Sequence, residues 1–306
     1  MNTTYDIIII GSGPAGLTAS IYASRAQRSV LILAGSSPGG QLMLTTEVED
    51  FPGFKSIQGP ALMEKILGHA RSFGAEYLEV DVEDVKKVKN IFEVKAGKRE
   101  FRGRSVIVAT GASAKWLELE SEKKLIGKGV SACATCDAPF FRDLDVAVIG
   151  GGDTALREAL HLAKVCKSVI VIHRRDSLRA QKILQERAMK TKNVSFLWNH
   201  VVEEFVGDGR LEALIVKDLL SKKKKTVTFQ GAFVAIGHTP NTEFLKGLAA
   251  LDSHGYINVH EFVKTSVKGL FAAGDVYDYH YMQAVTAAGA GCMAAMDADH
   301  YLDEEK

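Results

Sequence analysis

The sequence is poor in cysteine, carries almost no net charge and has no long hydrophobic run. Four cysteines among 306 residues are too few for a secreted disulfide scaffold, so we expect a reducing, cytoplasmic environment. A net charge of +1 argues against a general nucleic-acid or membrane-surface role. No apolar stretch approaches the roughly 18 residues of a membrane span, and the start "MNTTYDIIII" lacks the features of a signal peptide. We expect a globular protein of about two domains.

What the sequence does contain is a strand, a glycine-rich turn and a helix, and this pattern occurs twice. In the first copy, residues 5–10 predict a strand that leads into Gly11-x-Gly13-x-x-Gly16 and an alanine-rich helical segment, and "SVLILAG" predicts the next strand. Gly11 permits the tight turn, Gly13 lets backbone N–H groups approach a pyrophosphate, and Gly16 lets helix and strand pack closely. The turn therefore predicts a dinucleotide site, which also includes Ser12, Pro14 and Ala15.

The second strand of this first copy departs from the general dinucleotide pattern. Such a strand usually ends in an acidic residue that binds a ribose hydroxyl. Ala34 and Gly35 stand at this position instead. We therefore expect another part of the chain to hold the ribose.

The second copy ends in basic residues. Residues 145–149 lead into Gly150-x-Gly152-x-x-Ala155, and the strand after the helix ends in "HRRDSLRA". Guanidinium groups bind a 2′-phosphate through charge-assisted hydrogen bonds, whereas a carboxylate would repel it. The pattern favours NADPH over NADH, and the alternative is a solvated basic patch. The predicted site comprises Gly150, Gly151, Gly152, Asp153, Thr154, His173, Arg174, Arg175 and Arg179.

Two such turns imply two bound nucleotides. One is NADPH, and the other is most simply FAD. A flavin can accept a hydride and can pass electrons on singly or in pairs.

The first pattern resumes near the carboxyl end of the sequence. Residues 39–54 predict a loop, residues 59–75 a helix and residues 91–110 two strands. After the second copy, residues 194–198, "LEALIVKDL" and "KTVTFQGAFVAIG" predict strands, and the lysine run 221–225 predicts a solvated hairpin tip or, alternatively, a nucleic-acid patch. "GLFAAGDV" and the alanine-rich helix after it have no partner in the second copy. We therefore expect the second domain to be inserted into the first.

Cys133 and Cys136 form a C-x-x-C pair shortly before the second turn. Such a pair could be half of a zinc site, a redox dithiol or two inert buried thiols. A structural zinc usually needs four ligands, and the sequence has no second C-x-x-C and no nearby histidine pair, so we predict no metal. A cytoplasmic C-x-x-C beside a nucleotide domain indicates a redox dithiol, which could take two electrons from a flavin. Cys166 and Cys292 stand alone, and we expect both to be buried packing residues.

Asp137, directly after this pair, has two interpretations. It could be an acid close to the leaving thiolate. It could also be the N-cap of a helix, since a proline stands two residues further on. Both interpretations can hold together.

These features together resemble one family closely, the bacterial-type, low-molecular-weight thioredoxin reductases within the pyridine nucleotide–disulfide oxidoreductases. The resemblance covers nearly the whole chain, and "CATCD" together with "HRR" is very specific. The matching stretches, in family order, are "IIGSGPAGLTASIYASRA", "GGQLMLTTEVEDFPGF", "VIVATGASAKWL", "GVSACATCD", "VIGGGDTA", "HRRDSLRA", "VAIGHTPNT", "GLFAAGDV" and "QAVTAAGAGCMAA".

The resemblance implies an α/β fold of two Rossmann-like, three-layer domains, and a homodimer. The FAD domain would comprise residues 1–114 and 244–306. The NADPH domain, residues 115–243, would carry the C-x-x-C pair and be inserted into the FAD domain. Rotation of one domain against the other, about "ASAKWLE" and "HTPNTEF", would let the nicotinamide and the dithiol reach the flavin in turn.

The resemblance also implies a reaction. NADPH would reduce FAD, FAD would reduce the Cys133–Cys136 disulfide, and the dithiol would reduce thioredoxin or a thioredoxin-like protein. Cys136 would be the thiol next to the flavin, and Cys133 would attack the partner. Asp137 would be the general acid–base.

Further cofactor-binding residues follow from the same resemblance. The helix N-terminus at Gln283 would favour the anionic reduced flavin. Asp50, Arg157 and Met282 depart from the family pattern, which frequently has Asn, Glu and Arg at these positions. The assigned residues beyond the two turns are Gly40, Gln41, Leu42, Thr46, Asp50, Val82, Ala109, Thr110, Gly111, Ile236, Gly237, Gly274, Asp275, Gln283 and Ala284.

Other functions remain possible from sequence alone. A related reductase could use NADH or ferredoxin as donor, although the intact "GGGDTA" and "HRRDSLR" argue against both. A flavoprotein that passes electrons to ferredoxin would lack the "CATC" pair. A protein of a different class would bind NADPH and use the dithiol as a redox sensor without turnover. The partner could be thioredoxin, a glutaredoxin-like protein or a specialised relative.

Overall fold

The computed structural model describes residues 4–305 and divides into two compact units. Unit 1 comprises Met1–Ser113 and Thr239–Lys306, and unit 2 comprises Ala114–His238, so unit 2 interrupts the sequence of unit 1. The family resemblance places the second boundary after residue 243, whereas the division into compact units falls after His238. Between these two positions, Asn241 and Thr242 donate hydrogen bonds to the carbonyl oxygens of Thr110 and Gly255, which both belong to unit 1.

Strands and helices alternate around each glycine-rich turn, and runs of consecutive strands follow in both units. The helices are α1 (Pro14–Arg25), α2 (Gly59–Ser72), α3 (Glu120–Leu125), α4 (Ala134–Asp137), α5 (Asp153–Leu162), α6 (Lys182–Lys190) and α7 (Ala284–Glu304). The strands are β1 (Thr4–Ile10), β2 (Val30–Leu33), β3 (Glu76–Leu78), β4 (Val82–Val88), β5 (Ile91–Ala96), β6 (Arg99–Val108), β7 (Ala112–Ala114), β8 (Val130–Ser131), β9 (Asp145–Ile149), β10 (Ser168–His173), β11 (Val194–Trp198), β12 (His200–Val206), β13 (Ala213–Asp218), β14 (Lys224–Thr228), β15 (Gly231–Val234), β16 (His238–Pro240) and β17 (Leu270–Ala272).

Unit 1 is built on a sheet with strand order β3-β2-β1-β6-β5-β4, and β17 pairs with β6. Strands β1, β2, β6 and β17 are parallel, whereas β4 and β5 form an antiparallel extension. Successive isoleucines of β1 point to opposite faces, and both faces are buried. This is why the strand consists of consecutive apolar residues rather than an alternating pattern.

The C-terminal helix α7 belongs to the core of unit 1. Ala290, Ala294 and Ala298 are buried in the same cluster as Leu17 and Ala19 of α1. The helices approach closely, because a Cβ on Gly291 would lie 2.1 Å from the Ala15 carbonyl oxygen. The expectation that the first pattern resumes at the carboxyl end of the sequence is confirmed.

Unit 2 contains a parallel sheet with strand order β11-β10-β9-β15-β8 and a separate antiparallel sheet, β12-β13-β14. Helices α4 and α5 pack on one face of the parallel sheet through a common apolar cluster. The second face packs against the antiparallel sheet in another cluster. The expected fold class, an α/β protein with two Rossmann-like units, is therefore confirmed.

Two local expectations are wrong in detail. The segment "KTVTFQGAFVAIG" contains two strands, β14 and β15, that belong to different sheets. The expected loop 39–54 begins with a 3₁₀ helix, Gly40–Leu44. The lysine run 221–225 is exposed, and its last two residues lie in β14. None of the helices within residues 4–305 is both long and apolar enough to cross a membrane.

Candidate active site

The first glycine-rich turn, between β1 and α1, leaves no room for two side chains. Gly11 has a φ of +110°, and a Cβ there would lie 2.2 Å from the Ala109 carbonyl oxygen. A Cβ on Gly16 would lie 2.1 Å from the Gly11 carbonyl oxygen. Gly13, by contrast, is the N-cap of α1 and has nothing within 4 Å of its Cβ position. The turn is therefore tightly packed against the backbone at Gly11 and Gly16. It has free space at Gly13, at the helix N-terminus, where an anion can bind.

Ser12 joins this turn to the segment after β2. Its hydroxyl is buried, donates to the Ala34 carbonyl oxygen at 3.2 Å and accepts from the Gly39 N–H at 3.0 Å. A Cβ on Gly40 would lie 3.8 Å from the Gly13 Cα. Ser12 thus holds the 3₁₀ helix that carries Gln41 and Leu42 next to the turn. Gln41, Thr46 and Asp50 are exposed, and their contact with a cofactor remains a prediction.

A carboxylate from a distant part of the chain lies at the end of β2. Asp81 Oδ1 accepts a hydrogen bond from the Ser36 N–H at 2.8 Å. The same oxygen would lie 3.2 Å from a Cβ on Gly35. Asp81 directly precedes Val82, the first residue of β4. An acidic group is therefore present where Ala34 and Gly35 lack one, but it comes from 45 residues further along the chain.

The ends of β6 and β17 bring two further predicted segments to the same edge of the sheet. Residues 109–111 follow β6, and residues 274–275 follow β17. Because β1, β6 and β17 are adjacent and parallel, their carboxyl ends lie together, which is where ligands bind in such sheets. A Cβ on Gly274 would lie 3.1 Å from the Ala15 Cβ, so this segment contacts the first turn of α1.

Asp275 and Gln283 are two polar residues in the segments next to this edge. Burial raises the pKa of Asp275 to about 7, and the charge of Asp278 adds to the effect. Gln283 is the N-cap of α7, with Ala284 as the first helical residue. Met282, which departs from the family pattern, has a φ of +50°, a conformation uncommon for a residue with a side chain.

The second glycine-rich turn, between β9 and α5, repeats the geometry of the first. Gly150 has a φ of +155°, and a Cβ there would lie 2.4 Å from the Ala235 carbonyl oxygen. Gly152 is the N-cap of α5, followed by Asp153 and Thr154, and nothing lies within 4 Å of its Cβ position. Residues 236–237 follow β15, the parallel neighbour of β9, and so lie at the same edge.

The basic segment after β10 is tied to this turn. The Arg179 N–H donates to the Gly151 carbonyl oxygen at 2.8 Å. Asp153 Oδ1 accepts from the Gln181 N–H at 2.7 Å, and Oδ2 accepts from the Gln181 side-chain amide at 3.0 Å. Gln181 was not assigned from the sequence, and Asp153 acts here as an anchor for the segment.

Three arginines of this segment are presented to solvent. Arg174, Arg175 and Arg179 are exposed, and no carboxylate within residues 4–305 forms a salt bridge with them. Three guanidinium groups without carboxylate partners are suited to binding a phosphate.

His173 differs from the three arginines because it is buried. A Cβ on Gly151 would lie 2.3 Å from its ring, and its ring packs edge-on against Trp198. Burial lowers the pKa of His173, and the nearby arginine charges lower it further. Its Nε2 has no hydrogen-bond partner within the described residues. His173 is therefore a neutral group beneath the turn rather than a fourth exposed cation.

Cys133 and Cys136 form a disulfide in the loop after β8, with 5.4 Å between their Cα atoms. Cys133 is the N-cap of α4, and its sulfur accepts the Cys136 N–H at 3.2 Å. The Ser131 hydroxyl accepts the Cys133 N–H at 3.0 Å. Both cysteines are half-buried, so the disulfide is held by the backbone and remains partly accessible.

The residues around the disulfide agree with part of what the sequence predicts. Asp137 occupies the N-cap position of a 3₁₀ helix, Ala138–Phe141, but its side chain makes no capping hydrogen bond. Cys166 is buried in the core, as expected. Cys292 is only half-buried, contrary to the expectation, and its sulfur lies 3.9 Å from the Met296 sulfur. No cluster of three or more metal-ligating side chains occurs in the described part of the chain.

Each unit has parallel strands with a glycine-rich turn before a helix, and unit 2 also has a disulfide at the carboxyl edge of its parallel sheet. This combination defines a nucleotide-dependent dithiol–disulfide oxidoreductase. Comparison with known proteins leads to the same class. The family model described as "Pyridine nucleotide-disulphide oxidoreductase" matches residues 5–291. The chain therefore belongs to the pyridine nucleotide-disulphide oxidoreductase family, which implies a flavin and a pyridine nucleotide as cofactors.

Its relatives are similar over their whole length. A thioredoxin reductase of Rickettsia felis is 46% identical over 310 residues, which cover 99% of this chain and 100% of the relative. A thioredoxin reductase of Mycolicibacterium smegmatis is 45% identical over 305 residues, with 99% and 98% covered. The crystal structure of a thioredoxin reductase from Streptococcus pyogenes matches with a TM-score of 0.96 and 39% identity, covering 99% of this chain and 100% of that chain.

Proposed function

We propose that the protein is a thioredoxin reductase that uses NADPH as electron donor, FAD as electron carrier and the Cys133–Cys136 disulfide as the outlet to thioredoxin. The disulfide is the observation that carries the proposal, because it lies in the same unit as a nucleotide turn and is partly accessible. The names of the full-length relatives support the choice of thioredoxin as partner.

NADPH is assigned to unit 2 and FAD to unit 1. The exposed Arg174, Arg175 and Arg179 support NADPH, because guanidinium groups pair with a 2′-phosphate. The open helix N-terminus at Gly13 supports a pyrophosphate in unit 1. Asp275 supports a ligand rich in hydroxyl groups, because a buried carboxyl group needs hydrogen-bond partners.

In this proposal, the chain's own groups do the disulfide chemistry. FAD, when bound, supplies the two electrons that it accepts from the nicotinamide as a hydride. By the family resemblance, Cys136 would be the thiol that receives electrons from the flavin, and Cys133, once reduced, would attack the disulfide of thioredoxin to form a mixed disulfide and release one thioredoxin thiol. The Cys136 N–H that points at the Cys133 sulfur would stabilise a thiolate there. Asp137 would exchange the proton with the leaving thiol.

We also propose a homodimer and a cytoplasmic location. Val285, Met293 and Met296 of α7 are 42%, 39% and 50% exposed, and Tyr22 of α1 is 40% exposed. An apolar helix face of this kind is suited to association with a second copy. Cys166 and Cys292, which are not disulfide-bonded, agree with a reducing compartment.

The test is an NADPH oxidation assay against a panel of small disulfide proteins. We expect steady NADPH consumption only when oxidised thioredoxin or a close relative is present. Cys133→Ser and Cys136→Ser should each abolish turnover, whereas Cys292→Ser, the matched control, should retain it. Persistent turnover in Cys136→Ser would contradict the proposed electron path.

The same assay separates the alternatives. Equal bleaching of the flavin by NADH and NADPH would contradict the assigned donor. Reduction by ferredoxin alone would indicate the related ferredoxin-fed enzyme. A dithiol that is reduced once and never turns over with any disulfide protein would indicate a redox sensor.

A further inference from the structure

A carboxyl group that the proposed mechanism does not use lies beneath the disulfide loop. Glu158, on α5, accepts a hydrogen bond from the backbone N–H of Ala134, the residue between Cys133 and Thr135 in the C-x-x-C loop. Its Oε2 is out of contact with solvent and has no hydrogen-bond partner within the described residues. An unpaired buried polar atom costs free energy, and because buried polar atoms are normally paired, this one calls for an explanation.

The surroundings of Glu158 are apolar apart from one charge. Helices α4 and α5 pack through Ala134, Ala155 and Ala159 in the buried cluster of unit 2. Among residues 4–305, Asp137 on α4 is the one charged group whose charge acts on Glu158. The other charged groups on its own helix and on the elements packed against it are Asp153, Arg157, His161, Asp145, His173, Lys182, Glu186, Arg187 and Lys190.

We propose that Glu158 is a positioning residue of the redox site: it holds the C-x-x-C loop through the Ala134 N–H and keeps its own proton beside Asp137, so that no second carboxylate opposes the thiolate formed on reduction. Reduction breaks the sulfur–sulfur bond and adds two electrons, and the two sulfurs together take up as many as two protons. Any negative charge left on a sulfur is disfavoured by a nearby anion. A neutral Glu158 therefore makes the thiolate easier to form.

The electrostatics of the site agree with this assignment. Burial and, to a smaller extent, the charge of Asp137 raise the pKa of Glu158 to about 8, although the hydrogen bond from Ala134 acts to lower it. Glu158 is thus protonated at neutral pH. Above about pH 8 it ionises and places a second negative charge next to the dithiol.

This inference rests on the redox role of the disulfide in the proposed function, but its test needs neither NADPH nor thioredoxin. The flavin-loaded protein is reduced with dithiothreitol, and the alkylation rates of Cys133 and Cys136 by iodoacetamide are measured from pH 6 to 9.5 by peptide mass spectrometry. The rate reports the thiolate. Failure to reduce thioredoxin would contradict the proposed function and leave these rates unaffected.

The wild-type rate should rise with pH less steeply than a single thiol titration, because Glu158 ionises in the same range and holds the thiols back. Glu158→Gln keeps the shape and hydrogen-bonding oxygen but cannot ionise. It should give a steeper profile, with the rate at pH 9 about threefold or more above wild type and the rate at pH 6.5 unchanged. Glu186→Gln on α6, an exposed glutamate in the same unit, is the matched control.

A second measurement detects the proton directly. An infrared band of a protonated carboxyl group that is lost only above about pH 8 should be present in the wild type and absent in Glu158→Gln, whereas the band of Asp275, whose pKa is about 7, should be lost earlier and equally in both proteins. If Glu158→Gln does not fold, Asp137→Asn replaces it and should shift the loss of this band to lower pH, because the neighbouring charge is gone. Superimposable alkylation profiles for wild type and Glu158→Gln, or no such band at pH 7, would overturn the proposal.

Discussion

The sheets of the two units share one strand order, and they differ at its last strand. In unit 1 the order β2-β1-β6-β17 ends in the segment with Gly274 and Asp275, and in unit 2 the order β10-β9-β15-β8 ends in the disulfide loop. The glycine-rich turns of the two units are alike. Gly11 packs against the Ala109 carbonyl group, and Gly150 packs in the same way against the Ala235 carbonyl group. One backbone frame thus carries a buried carboxyl group in one unit and a redox disulfide in the other.

The comparison teaches that the turn supplies nucleotide binding in general and that its neighbours supply the specificity. Unit 1 has Asp81 at the end of its second strand, whereas unit 2 has exposed arginines there. The third turn position is Gly16 in unit 1 and Ala155 in unit 2. Unit 1 requires the glycine because helix and turn are in closer contact.

The largest effect should come from breaking the turn of unit 1. In Gly11→Ala the new Cβ would lie 2.2 Å from a backbone oxygen, at a φ of +110°. We expect a loss of roughly 3 kcal/mol or more of unfolding free energy, together with loss of bound flavin. Urea unfolding and flavin absorbance of the purified protein measure both. Gly68→Ala in α2, which has open space around it, is the matched control and should be neutral or slightly stabilising.

The next largest effect should come from the arginine segment that lies beside the glycine-rich turn of unit 2. Arg175→Ala should raise the KM for NADPH about 10- to 100-fold and leave the KM for NADH nearly unchanged, because a charge-assisted hydrogen bond contributes about 1.5–3 kcal/mol. Steady-state kinetics with each donor is the measurement. Arg187→Ala, an exposed arginine of α6, should change neither value. An equal loss with both donors would mean that Arg175 does not read the 2′-phosphate.

A smaller effect concerns the buried carboxyl group of unit 1. The pKa of Asp275 in the folded, flavin-free protein is about 7, above its ordinary value of 3.8. The unfolded state therefore loses this proton first as pH rises, and stability should fall by a few kcal/mol between about pH 4 and 7 from this group. Asp275→Asn should flatten that part of the profile, measured by urea unfolding at several pH values. Glu64→Gln, an exposed carboxyl change on α2, should not flatten it.

The smallest effect should come from the anchor of the arginine segment. Asp153→Ala removes two hydrogen bonds to Gln181 without touching an arginine. We expect the affinity for 2′,5′-ADP to fall about fivefold, measured by calorimetry, since net hydrogen-bond contributions are about 1 kcal/mol each. In the double variant Asp153→Asn with Gln181→Glu, the donor and the acceptor of the side-chain hydrogen bond are exchanged. This variant should restore most of the affinity that Asp153→Ala loses. An unchanged affinity in Asp153→Ala would show that the segment does not need this anchor.

Local patterns were sufficient for most of the fold and for part of the site. The strands around Gly11 and Gly150 were predictable because a buried parallel strand is a continuous apolar run and the turn after it demands glycine. The same patterns missed Asp81 and Gln181, since these contacts join residues 45 and 28 positions apart. They also grouped His173 with the arginines of the cofactor site and could not show that its ring is enclosed beneath Gly151.

The sequence by itself determined two α/β units, two glycine-rich turns, a basic segment in place of an acidic residue and a C-x-x-C pair, because each of these depends on residue type and short-range spacing. Only the tertiary structure decided that Asp81 lies at the end of β2, that Asp153 anchors Gln181 and that Glu158 lies under the disulfide loop. The reason is physical. Burial and long-range hydrogen bonds arise when strands and helices pack, and no local spacing encodes which distant side chain will lie beside a given backbone N–H.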